Sequence, residues 1–197
     1  RILKRGAASA DQMEKFTRYL DLVEKETSRC SQIVSSLLTF SRKSPAEFGP
    51  VDINDLVERC IILCQHKLEL SNIRLETHIA SNLPEIKGDY NQLQQCIINL
   101  VFNAVDAMPG GGTLTLSATR CPSASEICIQ VVDTGSGIDE KDLPHIFEPF
   151  FTTKDEGYGV GLGLSTVYGI LQNHEGNVTV ESQPGRGTTF TLHLPML

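Results

Sequence analysis

A two-layer α+β sandwich is the fold this 197-residue sequence predicts, with a mixed, mostly antiparallel sheet covered by helices on one face and one long coiled-coil-type helix in front of it. Three features predict it. Apolar positions recur at alternating steps of three and four over residues 9–43, the signature of a helical seam. Farther along, short alternating apolar stretches come in neighbouring pairs with helical stretches between them. The apolar fraction of 40% is enough for one good-sized core plus an accessory element.

The long helix opens with Ser9 and Gln12 at capping-box spacing and continues through Met13, Phe16, Leu20, Val23, Thr27, Cys30, Val34 and Leu37. Ile33 and Leu38 widen this seam, so a bundle of helices suits it better than a simple pair, and a surface helix packed on the neighbouring domain is the other reading. Ser44 to Pro50 holds two prolines and a glycine, which can continue neither a helix nor a central strand, and the domain boundary is placed there. The expected division is a helical segment at 1–44, a linker at 45–50 and a domain at 51–197.

Within that domain Ile53, Leu56, Val57, Cys60, Ile61 and Cys64 mark a helix, and Ile73, Leu75, Thr77 and Ile79 alternate as a strand. A second helix runs from Asp89 to Met108, with Leu93, Cys96, Ile97, Leu100 and Ala104 on one side. A Pro109-Gly110-Gly111-Gly112 turn then leads into strands at 113–119 and 126–133. A short helix near 141–147, a glycine-rich loop, a helix at about 161–174 and strands at 177–182 and 188–194 complete the reading.

Composition excludes several classes. The net charge of −7 is unevenly spread, with 9 Lys/Arg against 5 Asp/Glu in residues 1–43 and 8 against 19 beyond them. An acidic main domain argues against nucleic-acid binding, so a polyanionic ligand must be held by local donors and a metal. No apolar run approaches the ~20 residues that span a bilayer, so no membrane contact is expected of this piece. Arg1 rather than Met opens it, and it reads as part of a longer chain. The six cysteines (Cys30, Cys60, Cys64, Cys96, Cys121 and Cys128) form no C-x-x-C pair and read as reduced core residues, which fits a cytoplasmic location. Cys60 and Cys64 share a helix face, but no nearby His or Cys completes a metal site.

Four segments carry chemistry. Asn99 and Asn103 lie one helical turn apart, where an amide oxygen either ligates a hard cation such as magnesium or simply bonds a neighbouring backbone group. Asp133-Thr134-Gly135-Ser136-Gly137-Ile138 leaves an apolar strand directly. Its glycines let a flat ligand approach the backbone, and a buried carboxylate needs a donor such as a purine amine, although an ordinary turn also fits. Gly157, Gly159, Gly161 and Gly163 alternate before a helix opens with Leu164 and Ser165, a mobile-lid pattern ending in an anion-binding helix start. Phe147 to Lys154 precede it with aromatic anchors and one cation. No Gly-Lys dipeptide occurs and the glycines miss G-x-G-x-x-G spacing, so neither common nucleotide loop is present. The fourth, Gly185-Arg186-Gly187-Thr188-Thr189-Phe190, is by itself an ordinary hairpin turn.

Taken in order, these segments resemble the N, glycine and phenylalanine boxes of the sensor histidine kinase catalytic domain, within the ATPase superfamily shared with DNA gyrase, the ninety-kilodalton heat-shock chaperones and mismatch-repair proteins. The similarity runs over residues 51–197. Residues 9–43 look like the second helix of the dimerisation and phosphoacceptor hairpin. The resemblance implies adenine recognition by Asp133 with Gly135, Gly137 and Thr188, magnesium on Asn103, and phosphates facing Lys154 and the lid glycines. By the same comparison Asn99, Asp106, Ile138, Phe147, Thr153, Leu162 and Leu164 line the ATP site. It also implies a kinase dimer and a response-regulator receiver domain as partners.

Superfamily members that hydrolyse ATP carry a Glu where this chain has Asn99, and an amide cannot act as a general base. Transfer to a separate nucleophile is therefore expected, with an ATPase or a plain nucleotide-binding module as the alternative. The acceptor histidine of the family precedes an acidic residue and a proline-containing run, a pattern that none of His66, His78, His145, His174 and His193 meets. His174-Glu175 comes nearest, yet Gly176 follows at once, so it reads as a helix end. This piece is expected to bind ATP and magnesium without labelling itself.

Overall fold

The computed structural model describes residues 13–20, 22–24, 26–27, 47–121, 125–154 and 160–197. They fall into two compact units, one of residues 1–42 with 152–160 and one of residues 43–151 with 161–197. In the first, residues 13–20, 22–24 and 26–27 are helical (α1). The Thr17 and Thr27 hydroxyls donate to the Met13 and Val23 carbonyls one turn back, at 3.1 and 2.7 Å. Of the seam expected on this helix, Met13, Leu20 and Val23 are exposed and Phe16 is half-buried. Its positions at Cys30, Val34 and Leu37, and the capping box at Ser9, lie outside the described residues.

The second unit runs β1 (Gly49–Val51), α2 (Ile53–Leu70), β2 (Ile73–Ile79), β3 (Ile86–Gly88), α3 (Tyr90–Ala107), β4 (Gly112–Arg120), β5 (Glu126–Asp133), α4 (Gly163–Asn173), β6 (Asn177–Gln183) and β7 (Gly187–Pro195). Five strands form one sheet in the order β2-β4-β5-β7-β6, parallel only between β2 and β4. One face carries Leu114, Leu116, Ile127, Ile129, Val131, Phe190, Leu192 and Leu194, all buried in the core with the inner faces of the helices. The alternate positions Thr115, Ser117, Gln130 and Thr191 are only partly buried, as strand alternation over a single helical layer requires.

Helix ends are set by specific residues. Asp52 caps α2, its Oδ1 accepting from the Asn54 and Asp55 amides at 2.7 and 3.3 Å. Asp52→Ala should cost about 1 kcal/mol, read as a lowered denaturation midpoint with unchanged m-value. The helix runs to Leu70, with Leu68 continuing the buried stripe beyond Cys64. It stops where Asn72 turns left-handed (φ 53°). Asp89 caps α3 and is buried, with Oδ1 accepting from the Gln92 amide and Oδ2 from the Glu47 amide, both at 3.1 Å.

His174 is the helix end that the sequence suggests. Its Nε2 accepts from the Asp89 amide at 2.9 Å, so the neutral ring carries its proton on Nδ1 and donates to the Ile170 carbonyl at 2.7 Å. Phe48 packs on the ring at 4.7 Å between centroids. This is a structural histidine that locks α4 to the start of α3.

Three expectations change. Residues 141–147 form successive turns rather than a helix, held by bonds such as His145 N to Asp142 O at 2.9 Å, because Pro144 has no N–H to continue a ladder. Two three-residue strands, β1 and β3, pair antiparallel beside the main sheet, with Pro50 opposite Lys87. Proline is tolerated there because a two-stranded sheet has a free side. Cys121 and Cys128 are not reduced core residues: they form a disulfide across the β4–β5 hairpin, where antiparallel pairing brings their Cα atoms to 5.3 Å. Cys60, Cys64 and Cys96 are free and buried. Burial pushes the Cys60 thiol up to about 12 and Cys64 to about 11, and raises Cys96 as well, which makes all three poor nucleophiles.

Candidate functional site

The site is built where the C-terminal ends of α3 and β5 meet the start of β7. Asp133 ends β5 and stands opposite Thr188 in the ladder, and both side chains are buried. Asp133 Oδ1 accepts from the Gly135 amide at 2.8 Å. Burial raises its carboxyl above the ordinary value of 3.8, opposed in part by backbone donation from Gly135 and Thr188. A buried acceptor with few donors has bonding capacity left for a ligand.

The loop after Asp133 is tied at both ends. Ser136 donates its amide to the Ala107 carbonyl at 3.0 Å, and its own carbonyl accepts from the Gly185 amide at 2.7 Å. A Cβ on Gly135 would stand 2.6 Å from that Ala107 carbonyl and 2.8 Å from Asp133 Oδ1, so only glycine fits against α3. Gly137, left-handed at φ 69°, packs on the Gln183 carbonyl, and the Ile138 amide donates to Ser182 Oγ at 2.8 Å. Ser182 gives its single proton to the Gly187 carbonyl at 3.0 Å, so the Thr188 hydroxyl, 2.9 Å away, is the donor between the two. That leaves lone pairs on Thr188 Oγ1. Ser182 has no motif around it, and its importance comes from a contact 44 residues back in the chain.

Along α3, Asn99, Asn103 and Asp106 follow one another at i, i+4 and i+7, one face of the helix. Asn99 Nδ2 donates to the Gly163 carbonyl at 3.4 Å, and a Cβ on Gly163 would lie 3.8 Å from Asn103 Nδ2. The two amides therefore flank the first residue of α4. Among the described residues no side chain caps that helix, whose N-cap position is Leu162, so the first-turn N–H groups of Gly163, Leu164 and Ser165 take no side-chain acceptor from them. Ala107 and Asn99 stand ~12 Å apart along the α3 axis, so one helix connects the Asp133 end to the α4 end of the site.

Phe147 packs on Tyr168 of α4 at 5.8 Å between centroids. The Phe150 amide donates to the Gly161 carbonyl at 2.9 Å, with both residues left-handed (φ 68° and 69°), so the chain entering and the chain leaving residues 152–160 are pinned together. Thr153 and Lys154 belong to the other compact unit, and Gly157 and Gly159 lie outside the described residues. Asn99, Asn103, Asp106, Asp133, Gly135, Gly137, Ile138, Phe147, Gly161, Leu162, Gly163, Leu164 and Thr188 are all carried by the second unit.

A mixed sheet under three helices, a buried strand-end carboxylate and an uncapped helix beside paired asparagines define an ATPase-type nucleotide domain. The chain belongs to the histidine kinase-, DNA gyrase B- and HSP90-like ATPase family, which it matches over residues 88–197. It is 37% identical to the sensor kinase CckA of Brucella abortus over 188 residues, covering 89% of this chain and 20% of that protein. It is likewise 37% identical to the sensor histidine kinase ZraS of Escherichia coli K12 over 175 residues, covering 89% and 37%, and to sporulation kinase A of Bacillus subtilis over 184 residues, covering 93% and 30%. The chain thus spans well under half the length of these curated relatives. Among solved structures, the catalytic domain of histidine kinase ThkA superposes with a TM-score of 0.68 at 28% identity, over 76% of this chain and 98% of that one. Histidine kinase ThkA in complex with the response regulator TrrA gives 0.77 at 26% identity, over 98% and 54%. Among the described residues, no helix is long and apolar enough to cross a membrane.

Proposed function

We propose that this chain is the ATP-binding part of a sensor histidine kinase, which transfers the γ-phosphoryl of ATP to a histidine outside these 197 residues for relay to a response-regulator aspartate. The observation that carries it is the in-register pair of buried Asp133 and Thr188, closed by a Gly135 that no other residue could replace. This cradle fits a purine edge, with the carboxylate accepting from its exocyclic amine. Gly137 and Ile138 shape the cradle wall. The uncapped α4 start fits phosphates, which take the N–H groups of Gly163, Leu164 and Ser165. Phe147, Gly161 and Leu162 frame that end, and Thr153, Lys154, Gly157 and Gly159 are the residues that the family resemblance assigns to the phosphates of a bound nucleotide.

Asn103 is the proposed magnesium ligand, with Asn99 and Asp106 beside it on the same helical face, and magnesium when bound neutralises phosphate charge. Asn99 favours transfer over hydrolysis, since its amide donates to the Gly163 carbonyl and can accept no proton from water. The exposed apolar positions Met13, Leu20 and Val23 of α1 suit a helical dimer partner. A phosphohistidine donor needs a receiver domain as acceptor, and ATP as substrate places the domain in the cytoplasm. Among the histidines here, His174 is committed to the fold and His145 bonds Glu148 at 2.8 Å.

Calorimetry with ADP and magnesium tests the pocket. Binding is expected, and Asn103→Leu should weaken it on the order of tenfold only when magnesium is present, since 1.4 kcal/mol is one decade. Absence of binding, or a loss in Asn103→Leu that is the same without magnesium, refutes the assignment. Radiolabelled γ-phosphate should not appear on this chain, and acid-labile label on it would refute an external acceptor.

A further inference from the structure

The solvent-facing side of the sheet carries a second cluster, remote from the residues above. Cys121 Sγ, Cys128 Sγ and His193 Nδ1 lie within 4.8 Å of one another, the one such group among the described residues. Nδ1 is 3.9 Å from Cys121 Sγ and 3.6 Å from Cys128 Sγ. Glu126 Oε2 is 3.6 Å from the same Nδ1. Cys128 and His193 are register partners in the β5–β7 ladder, so backbone hydrogen bonds fix their spacing. The same ladder carries Asp133 and Thr188 five residues on, ~17 Å away at strand rise.

We infer that in the dithiol state Cys121, Cys128 and His193 bind one zinc-class divalent cation, with Glu126, 3.6 Å from Nδ1, as the nearest side chain for the fourth position. Tetrahedral zinc, with bonds of ~2.3 Å to sulfur and ~2.0–2.1 Å to nitrogen or oxygen, sets sulfur and nitrogen ligands ~3.5 Å apart and nitrogen and oxygen ligands ~3.4 Å apart. The three distances to Nδ1 already stand within a few tenths of an ångström of these values. The sulfurs must separate, by breaking their bond.

His193 is also prepared as a ligand. Its Nε2 lies 3.1 Å from Thr179 Oγ1 of β6, and Nε2–H donating there leaves the Nδ1 lone pair turned toward the sulfurs and Glu126. An outer hydrogen bond of this kind is what orients metal-bound histidines. Two thiolates, an imidazole and a carboxylate suit zinc rather than magnesium or calcium. The sulfurs belong to buried residues, while His193 and Glu126 side chains are 25% and 41% exposed, so the cluster opens to solvent on one side.

The disulfide and the metal exclude each other. A dithiol reductant gives two electrons and two protons to Cys121–Cys128 and becomes a disulfide itself. The cation then displaces the two thiol protons. The structure shows the disulfide form, and a reducing compartment, where disulfides are rare, favours its conversion to the dithiol. The inference rests on this geometry and not on the nucleotide reading.

Anaerobic cobalt titration of the phosphine-reduced chain tests it. One equivalent should give tetrahedral d–d bands and a thiolate-to-cobalt charge-transfer band, both displaced by zinc. The oxidised chain should give neither, and nor should Cys121→Ser/Cys128→Ser, which keeps Cys60, Cys64 and Cys96. Thr179→Val should weaken zinc binding about tenfold while keeping the bands. Circular dichroism confirms that each variant is folded. No charge-transfer band in the reduced chain, a band surviving in the double serine variant, or equal binding by the oxidised form overturns the site.

Discussion

Asp133→Asn should leave the chain folded and remove nucleotide binding by on the order of 100-fold, about 3 kcal/mol. The substitution keeps shape and changes only what the side chain offers. Asp133 Oδ1 accepts from the Gly135 amide, so asparagine will turn its oxygen to that N–H and its NH2 toward the ligand. There it meets the exocyclic amine of adenine, donor against donor, with nothing to satisfy either. Stability should hold or rise. Burial raises the Asp133 carboxyl above 3.8, so the folded state binds its proton more tightly than the unfolded one. Its contribution is therefore present below the unfolded value and is lost as pH rises through the folded value. At neutral pH the charged form costs stability, and a neutral amide removes that cost.

The ligand reverses the sign. A donor facing the carboxylate favours its charged form, so affinity should climb as pH rises through the window above 3.8 and then level off. Calorimetry across that window, together with thermal melting of both proteins, checks the two halves at once. Unchanged affinity in Asp133→Asn would remove the carboxylate from the site.

The glycines and amides of this site were legible because each needs a particular residue type. Asn99 and Asn103 share a helix face at a fixed period, and Gly135 and Gly137 sit where no side chain fits. The long elements were equally plain, since periodicity over α3 or β5 accumulates evidence with length. What escaped is short or non-local. β1 and β3 have three residues each, too few for a pattern. The turns at 141–147 looked helical until Pro144 is weighed against a ladder that needs its N–H. Ser182 matters only because β6 is brought beside Ile138. The Cys121–Cys128 pair depends on the β4–β5 hairpin register, which spacing alone does not reveal.

The largest effect on folding is expected at Gly187, where Gly187→Ala should cost about 3 kcal/mol and lower the melting temperature by roughly 10 °C. Its φ is +88°, and a Cβ there would fall on the Asp133 carbonyl, with the Asp133 carbonyl carbon at 2.8 Å and Thr134 Cα at 3.0 Å. All of these are backbone atoms, which cannot swing aside as a side chain would. Relief must come from parting β7 and β5 at the very pair, Asp133 and Thr188, proposed as the nucleotide cradle. Affinity should fall with stability. Gly185 separates the two causes, because its φ is +75° and no atom lies within 4 Å of its added Cβ. Gly185→Ala carries only the left-handed cost of about 1 kcal/mol, roughly 3 °C, and should leave nucleotide affinity alone. If both variants lose stability equally, backbone strain accounts for Gly187 and the close approach of strands does not. If Gly187→Ala alone loses nucleotide binding, the spacing of those two strands is what holds the cradle in shape.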